Sequence, residues 1–167
     1  MSRVVVLLGP PGSGKSTIGE ALAAEGLRWR DWEAELLASW GTRERFVEVK
    51  DVALPALHRD IRAWIESSDQ PAVLETTGLS DADLVRSIVA TGDALLVRLD
   101  VGEDAAIERI SRRGRGRHLT DEEAPNRRVW QAFHDVVPRS FAADLVVDTE
   151  ACTPTETAQL VIDLLAG

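Results

Sequence analysis

Apolar and polar residues follow two alternating patterns along this chain. Short, mostly apolar runs predict five strands, at positions 4–8, 27–30, 72–74, 94–99 and 145–147. Between these runs, apolar residues recur every three or four positions, as they do on one face of a helix. Strands that alternate with helices favour a parallel sheet, so we expect a three-layer α/β/α domain with five parallel strands.

The helical stretches carry signals for where they begin and end. We expect helices at about 14–25, 31–39, 43–67, 103–113 and 124–137, one between Ser80 and Gly92, and one after Thr153. Pro55 should kink its stretch or divide it into two helices, and the helix at 124–137 should end before Pro138. Ser80 is expected to cap the helix that follows it, and Thr153 begins a T-P-T-E capping box.

The first apolar run leads into a loop that fits G-x-x-x-x-G-K-[ST] between a strand and a helix. Its glycines let the backbone approach phosphate oxygens, and the helix beginning near Gly14 adds the positive end of its dipole. We expect Lys15 to reach the β- and γ-phosphates of ATP, and the Ser16 hydroxyl to ligate Mg²⁺. The predicted nucleotide-binding residues of this loop are Gly9, Gly12, Ser13, Gly14, Lys15, Ser16 and Thr17.

Composition narrows the choice of partners. The chain has 167 residues, enough for one domain with a full core, and its net charge of −9 disfavours long nucleic acids. Nearly all of its cationic side chains are arginines, and only Lys15 and Lys50 are lysines. The lysine in the loop therefore indicates a place where a guanidinium does not fit. Cys152 is the only cysteine, and no apolar run approaches the ~20 residues of a membrane span. We expect a cytoplasmic protein, monomeric by default.

Several classes of nucleotide-binding protein are excluded by missing motifs. The only asparagine, Asn126, is followed by Arg127, so the N-K-x-D loop of GTPases is absent. There is no L-S-G-G-Q signature and no apolar run that ends in Asp-Glu, the usual sign of a hydrolysing ATPase. A kinase remains the class that fits best.

Four segments resemble the small single-domain P-loop kinases, the group of shikimate, gluconate and nucleoside monophosphate kinases. They are the phosphate loop, "RWRDWE", "AVLETTGL", and "LDVGEDAAIERISRRGRGRHL" together with "ADLVVDTEA". The resemblance implies ATP and Mg²⁺ as cofactors and a small-molecule acceptor. It also implies a single P-loop NTPase domain over 1–167, with its core at 1–30, 71–112 and 140–167. A helical insert at about 31–67 would cover the acceptor, and an arginine-rich lid would span about 112–126.

Two acidic residues are candidates for work on the acceptor. Asp31 is expected at the carboxyl edge of the sheet, where it would orient the acceptor hydroxyl or accept its proton, with Glu33 as the rival. Asp31 is also placed to act as the N-cap of its helix, and both roles are compatible. Glu75 ends a core strand at the same edge, where it would hold a water of the magnesium shell or orient the acceptor.

Five arginines fall within nine residues at the start of the predicted lid: Arg109, Arg112, Arg113, Arg115 and Arg117. Their like charges repel one another, and a bound anion would relieve that repulsion. The alternative is a solvated, arginine-rich helix end that complements the helix dipole. By resemblance, Arg109 packs over the adenine, and Arg113 or Arg117 swings onto the γ-phosphate.

The best-known acceptors of the group are not implied. Shikimate kinases carry Arg-Pro-Leu-Leu in the lid where this chain has Arg117-His118-Leu119-Thr120. Their glycine triplet is replaced by Glu75-Thr76-Thr77-Gly78, and the D-G-x-P-R pattern of adenylate kinases is absent. The function expected from the sequence is therefore phosphoryl transfer to a small-molecule hydroxyl. A 5′-polynucleotide or nucleotide kinase and a nucleotide-binding regulatory module remain open.

Overall fold

The computed structural model describes residues 4–41, 43–113 and 122–167, and within them five parallel strands form one sheet in the order β2-β3-β1-β4-β5. The strands are β1 (Val4–Leu8), β2 (Arg28–Trp29), β3 (Ala72–Thr76), β4 (Ala94–Asp100) and β5 (Leu145–Asp148). The helices are α1 (Lys15–Ala24), α2 (Trp32–Trp40), α3 (Arg43–Glu66), α4 (Ala82–Val89), α5 (Glu103–Arg112), α6 (Glu123–Ser140) and α7 (Pro154–Ala166). The predicted α/β/α fold with five parallel strands is confirmed.

Strand β1 lies at the centre of the sheet and is buried on both faces, as its uninterrupted apolar run predicts. Its side chains alternate between two apolar clusters. Val4, Val6 and Leu8 pack on the face covered by α3, α4 and α6, whereas Val5 and Leu7 pack on the face covered by α1 and α7. The sheet is thus the middle layer between two cores, and its carboxyl edge carries the phosphate loop.

Helices α2 and α3 form the insert between β2 and β3. Trp32 of α2 and Ile61 of α3 belong to the cluster around Leu8, so the insert shares the core of the sheet. The guanidinium of Arg28 on β2 donates to the carbonyls of Trp64 and Ile65 near the end of α3, the latter at 3.3 Å. This contact fixes the end of the insert against the edge strand.

Two proline predictions are corrected. Helix α6 continues through Pro138 to Ser140, although it was expected to end before that proline. Pro138 lies in the last turn, where only one helical hydrogen bond is lost, and the flanking Val137 and Phe141 are buried in the core. Pro55 lies inside the single helix α3, so the predicted division into two helices is wrong, while the alternative, a kink at Pro55, stays a prediction.

The cap of α4 is a third correction. The N-cap residue is Asp81 and not Ser80, and the Asp81 side chain makes no capping hydrogen bond. The Asp81 carboxylate accepts instead from Thr76 Oγ1 at 2.8 Å and lies 3.0 Å from His58 Nε2. The capping box that begins at Thr153 is confirmed by both of its hydrogen bonds. Among the described helices, none is long and apolar enough to cross a bilayer.

We predict that Phe133→Ala lowers the free energy of unfolding by about 3 to 5 kcal/mol, since it empties a fully buried site in α6. Urea denaturation measures this change. Val136→Ala on the same helix, where the side chain is 47% exposed, is the control and should change stability by less than about 1 kcal/mol. Equal losses in the two variants would contradict the assignment of α6 to the core.

Candidate active site

The phosphate loop connects β1 to α1 and depends on three glycines. Gly12 and Gly14 have φ angles of 79° and 89°, a region that side-chain-bearing residues rarely adopt. A Cβ on Gly9 would lie 2.3 Å from Ser13 Oγ, and one on Gly12 would lie 2.3 Å from the carbonyl oxygen of Ala106. The loop therefore requires these glycines for its conformation and for its close packing against α5.

The loop folds around the amine of Lys15. Its Nζ donates to the carbonyl oxygens of Gly9 at 2.8 Å and Pro10 at 3.0 Å. Burial lowers the pKa of Lys15, the carboxylates of Glu75 and Glu33 oppose that shift, and Arg113 adds to it. A cation is thus held inside the loop, next to the backbone N–H groups that face the expected phosphates.

Ser13 gives a direct test of whether the loop fits a phosphate. Its side chain is fully buried, and its Oγ has no hydrogen-bond partner among the described residues. An orphaned hydroxyl inside a loop of positive-φ glycines is suited to an oxygen-rich anion. No group of three or more His, Cys, Asp or Glu side chains in the described ranges could hold a metal unaided.

Glu75 lies beside the loop because β3 runs parallel to β1, with Leu7 opposite Glu75 in the register. Its Oε2 accepts from Ser16 Oγ at 2.9 Å, and its Oε1 accepts from Trp29 Nε1 at 3.2 Å. Burial raises the pKa of Glu75 to about 7; Lys15 and the Ser16 hydrogen bond lower it, and nearby carboxylates raise it. The residue predicted to ligate Mg²⁺ and the carboxylate predicted near it are thus in direct contact.

Asp31 and Glu33 follow β2 in the chain and lie near Glu75. Their charges raise the pKa of Glu75, which places three carboxylates within electrostatic reach of one another. Asp31 Oδ1 accepts from the backbone N–H of Ala34 at 2.9 Å, so it does cap α2. The structure therefore bears out its capping role and also places it near Glu75. Its catalytic role stays a prediction.

Arg109 of α5 and Arg113, which directly follows α5, both contact the phosphate loop. Arg109 donates to the carbonyl oxygen of Thr149 at 2.8 Å and to its Oγ1 at 2.9 Å. Arg113 Nη2 donates to Thr17 Oγ1 at 3.2 Å. Both arginines line a pocket beside the loop, shared with Ser13, Gly14, Thr17, Ile18, Thr149, Cys152 and Pro154. The pocket lies where the nucleotide base is expected, and Arg117 lies outside the described residues.

Sequence reasoning missed two features of this site. The Trp29 indole donates to Glu75, a contact that no motif in the sequence indicated. Cys152 of the pocket carried no motif that could have identified it.

The comparisons with known proteins agree with the fold. The family model described as AAA domain matches residues 5–134. A shikimate kinase of Frankia casuarinae is 32% identical, over 98% of this chain and 71% of its own length. One of Salinispora arenicola is 28% identical over the full length of both chains. The solved shikimate kinase from Acinetobacter baumannii in complex with shikimate has a TM-score of 0.73 at 19% identity, covering 99% of this chain and 94% of that one.

The raised pKa of Glu75, about 7 against an ordinary 4.5, predicts a pH-dependent stability in the metal-free protein. Between these two values the folded chain retains a proton that the unfolded chain has released, so the free energy of unfolding falls as pH rises. Glu75→Gln cannot ionise. It should match the wild type near pH 4.5 and be more stable by about 3 kcal/mol at pH 8.

Urea denaturation across this pH range measures the effect. Glu20→Gln, which removes an exposed carboxylate from α1, is the control and should keep the wild-type profile. Parallel profiles for wild type and Glu75→Gln would contradict the burial of an ionisable Glu75.

Proposed function

Because this chain belongs to the AAA domain family and is a P-loop kinase of the shikimate and nucleotide kinase type, we propose that it transfers the γ-phosphoryl group of ATP to a hydroxyl of a small-molecule acceptor. One observation carries the proposal. Lys15, Ser16 and Glu75 converge at the carboxyl ends of β1 and β3, where open α/β sheets bind their ligands. The contact of Glu75 with Ser16 supports a bound Mg-nucleotide, and the similarity to shikimate kinases supports transfer to an acceptor rather than hydrolysis alone.

Phosphoryl transfer depends more on positioning and charge neutralisation than on covalent help from the protein. The loop N–H groups and the Ser13 hydroxyl would hold phosphate oxygens, and Lys15 would neutralise the β- and γ-phosphates. Bound Mg²⁺, held by Ser16 with Glu75 close by, would neutralise the remaining charge. Arg109 would flank the adenine beside Thr149, in the pocket that both residues line.

On the acceptor side, Asp31 would orient the reacting hydroxyl or accept its proton, with Glu33 as the alternative. Glu75 would either support the metal or orient the acceptor. Arg113 already lies against the loop at Thr17, which suits an approach to the transferring phosphoryl group. Arg117, outside the described residues, is the second candidate for that role.

The relatives support a small-molecule acceptor but do not identify the molecule. The relatives named above are shikimate kinases. At the end of β3, however, this chain has Glu75-Thr76-Thr77-Gly78 in place of the glycine triplet of shikimate kinases. The net charge of −9 argues against a long polymer. We therefore propose a small hydroxylated molecule. The expectations of a monomeric state and a cytoplasmic location stay predictions.

We predict that ADP release from Mg-ATP is stimulated by one class of acceptor in a panel. The panel contains hydroxy acids, sugar acids, nucleosides, nucleoside monophosphates, aminoglycoside and phenicol antibiotics, and 5′-hydroxyl oligonucleotides. Lys15→Ala should abolish the stimulation without unfolding the chain, because it removes the cation beside the phosphates. Lys50→Ala, which removes the only other lysine from an exposed position on α3, is the matched control and should keep full activity.

The pattern of stimulation also separates the alternatives. Stimulation by oligonucleotides alone would indicate a 5′-polynucleotide kinase. Tight ATP binding with a basal rate that no acceptor changes would indicate a nucleotide-binding module. Stimulation that survives in Lys15→Ala would overturn the assignment of this loop to catalysis.

The two roles of Asp31 can be separated by substitution. Asn caps helices about as well as Asp, so Asp31→Asn should keep the stability of α2 while lowering kcat at least about a hundredfold. Asp31→Ala should lower kcat similarly and also destabilise the fold by about 1 kcal/mol. Turnover and urea denaturation of both variants give the answer. Wild-type turnover in Asp31→Asn, with loss in Glu33→Gln, would transfer the role to Glu33.

A further inference from the structure

Trp29 has no part in the mechanism above, yet its indole reaches into the site. Its Nε1 donates to Glu75 Oε1 at 3.2 Å, while Ser16 Oγ donates to Oε2 at 2.9 Å. Both oxygens of the carboxylate are therefore held by donors from different elements, one from the edge strand β2 and one from the first turn of α1.

The indole lies in a space that only glycine provides. A Cβ on Gly19 would lie 2.2 Å from Trp29 Nε1 and 2.6 Å from its Cδ1. Gly19 is buried in α1, three residues after Ser16, where a helix loses about 1 kcal/mol relative to alanine. A costly residue at this helical position has a clear physical reason, because the indole crosses the helix surface at that point.

The backbone also fixes where the indole begins. Trp29 pairs with Val73 in the parallel register of β2 and β3, and Glu75 follows Val73 by two residues on the same face of the sheet. The indole packs beside the apolar cluster that contains Val73 and Leu27. Packing at one end and a hydrogen bond at the other leave the ring little freedom.

The chemistry of an indole also suits it to hold a carboxylate. Its N–H donates and cannot accept, so it can hold a carboxylate without competing for a proton or for a metal ion. Asp31 and Glu33 repel the ionised Glu75 from the acceptor side, and a fixed donor opposes any rotation that this repulsion favours.

We propose that Trp29 is a positioning residue that orients the Glu75 carboxylate toward Ser16 and the metal–nucleotide site, and that Gly19 is the glycine that admits it. The inference rests on the proposed function for the role of Glu75. It assigns to this chain a second support for its acidic residue, supplied by an edge strand of only two residues.

The contact itself can be measured without any substrate. In the metal-free protein, Glu75→Gln weakens the acceptor of the Trp29 indole, so the ¹⁵N–¹H resonance of Trp29 Nε1 should move upfield. Trp130 on α6 is the internal control, because its indole donates to the Val101 carbonyl at 3.0 Å. Its resonance should not move. An unchanged Trp29 resonance in Glu75→Gln would overturn the proposal.

The consequence for the site is measured with Mg²⁺ and the non-hydrolysable nucleotide AMP-PNP. Trp29→Phe should reduce the ratio of nucleotide affinities with and without Mg²⁺ about tenfold, as loss of an outer contact to a metal site commonly does. The affinity without Mg²⁺ should change less than about twofold, because the hydrogen bond that the indole makes is to Glu75 and not to the phosphate loop. Trp130→Phe loses an equivalent indole donor and should keep the wild-type ratio.

Gly19→Ala gives a second route to the same result. Its Cβ would displace the indole, so the ratio should fall as in Trp29→Phe, and the Trp29 resonance should move. If Trp29→Phe does not fold, Gly19→Ala and the resonance test in Glu75→Gln decide the question. A wild-type ratio in a folded Trp29→Phe would overturn the proposal.

These measurements are independent of transfer. If no acceptor stimulates ADP release while both Trp29 tests succeed, the proposed function fails and the positioning role stands. If an acceptor is found while Trp29→Phe behaves like Trp130→Phe, only the positioning role fails.

Discussion

The hydrogen bond between Ser16 and Glu75 is the interaction on which the rest of the site depends. It joins the first turn of α1 to the end of β3 at a distance of 2.9 Å. Neither partner is placed by its own segment alone, because the loop conformation sets Ser16 and the register with Leu7 sets Glu75. A slip of one residue in β3 would turn Glu75 to the opposite face of the sheet and into an apolar core.

Burial and charge act against each other at this edge of the sheet. Burial lowers the pKa of Lys15 and raises that of Glu75, so each group is shifted toward its neutral form. Their mutual attraction opposes both shifts and does not overcome either. An incoming anion would stabilise the charged form of Lys15, and the cation bound to that anion would stabilise the carboxylate form of Glu75.

How much the sequence could predict follows from how local each feature is. The phosphate loop was predicted because its glycines, lysine and hydroxyl act within nine residues, and the strands because burial on both faces leaves continuous apolar runs. The contact of Trp29 with Glu75 could not be predicted, since it depends on strand register and on the space above Gly19. Ser80 and Pro138 misled for a related reason, because Asp81 and the packing of Phe141 belong to tertiary structure.

The helical insert reaches the same carboxyl edge through a separate chain of contacts. His58 of α3 lies 3.0 Å from Asp81, which accepts from Thr76, the neighbour of Glu75 on β3. Thr76 Oγ1 in turn accepts from the backbone N–H of Gly78 at 2.9 Å. Because adjacent residues of a strand point to opposite faces, the insert is tied to one face of β3 and the phosphate loop to the other. The strand therefore carries on its two faces the contacts that bring the helical insert and the phosphate loop to the same edge of the sheet.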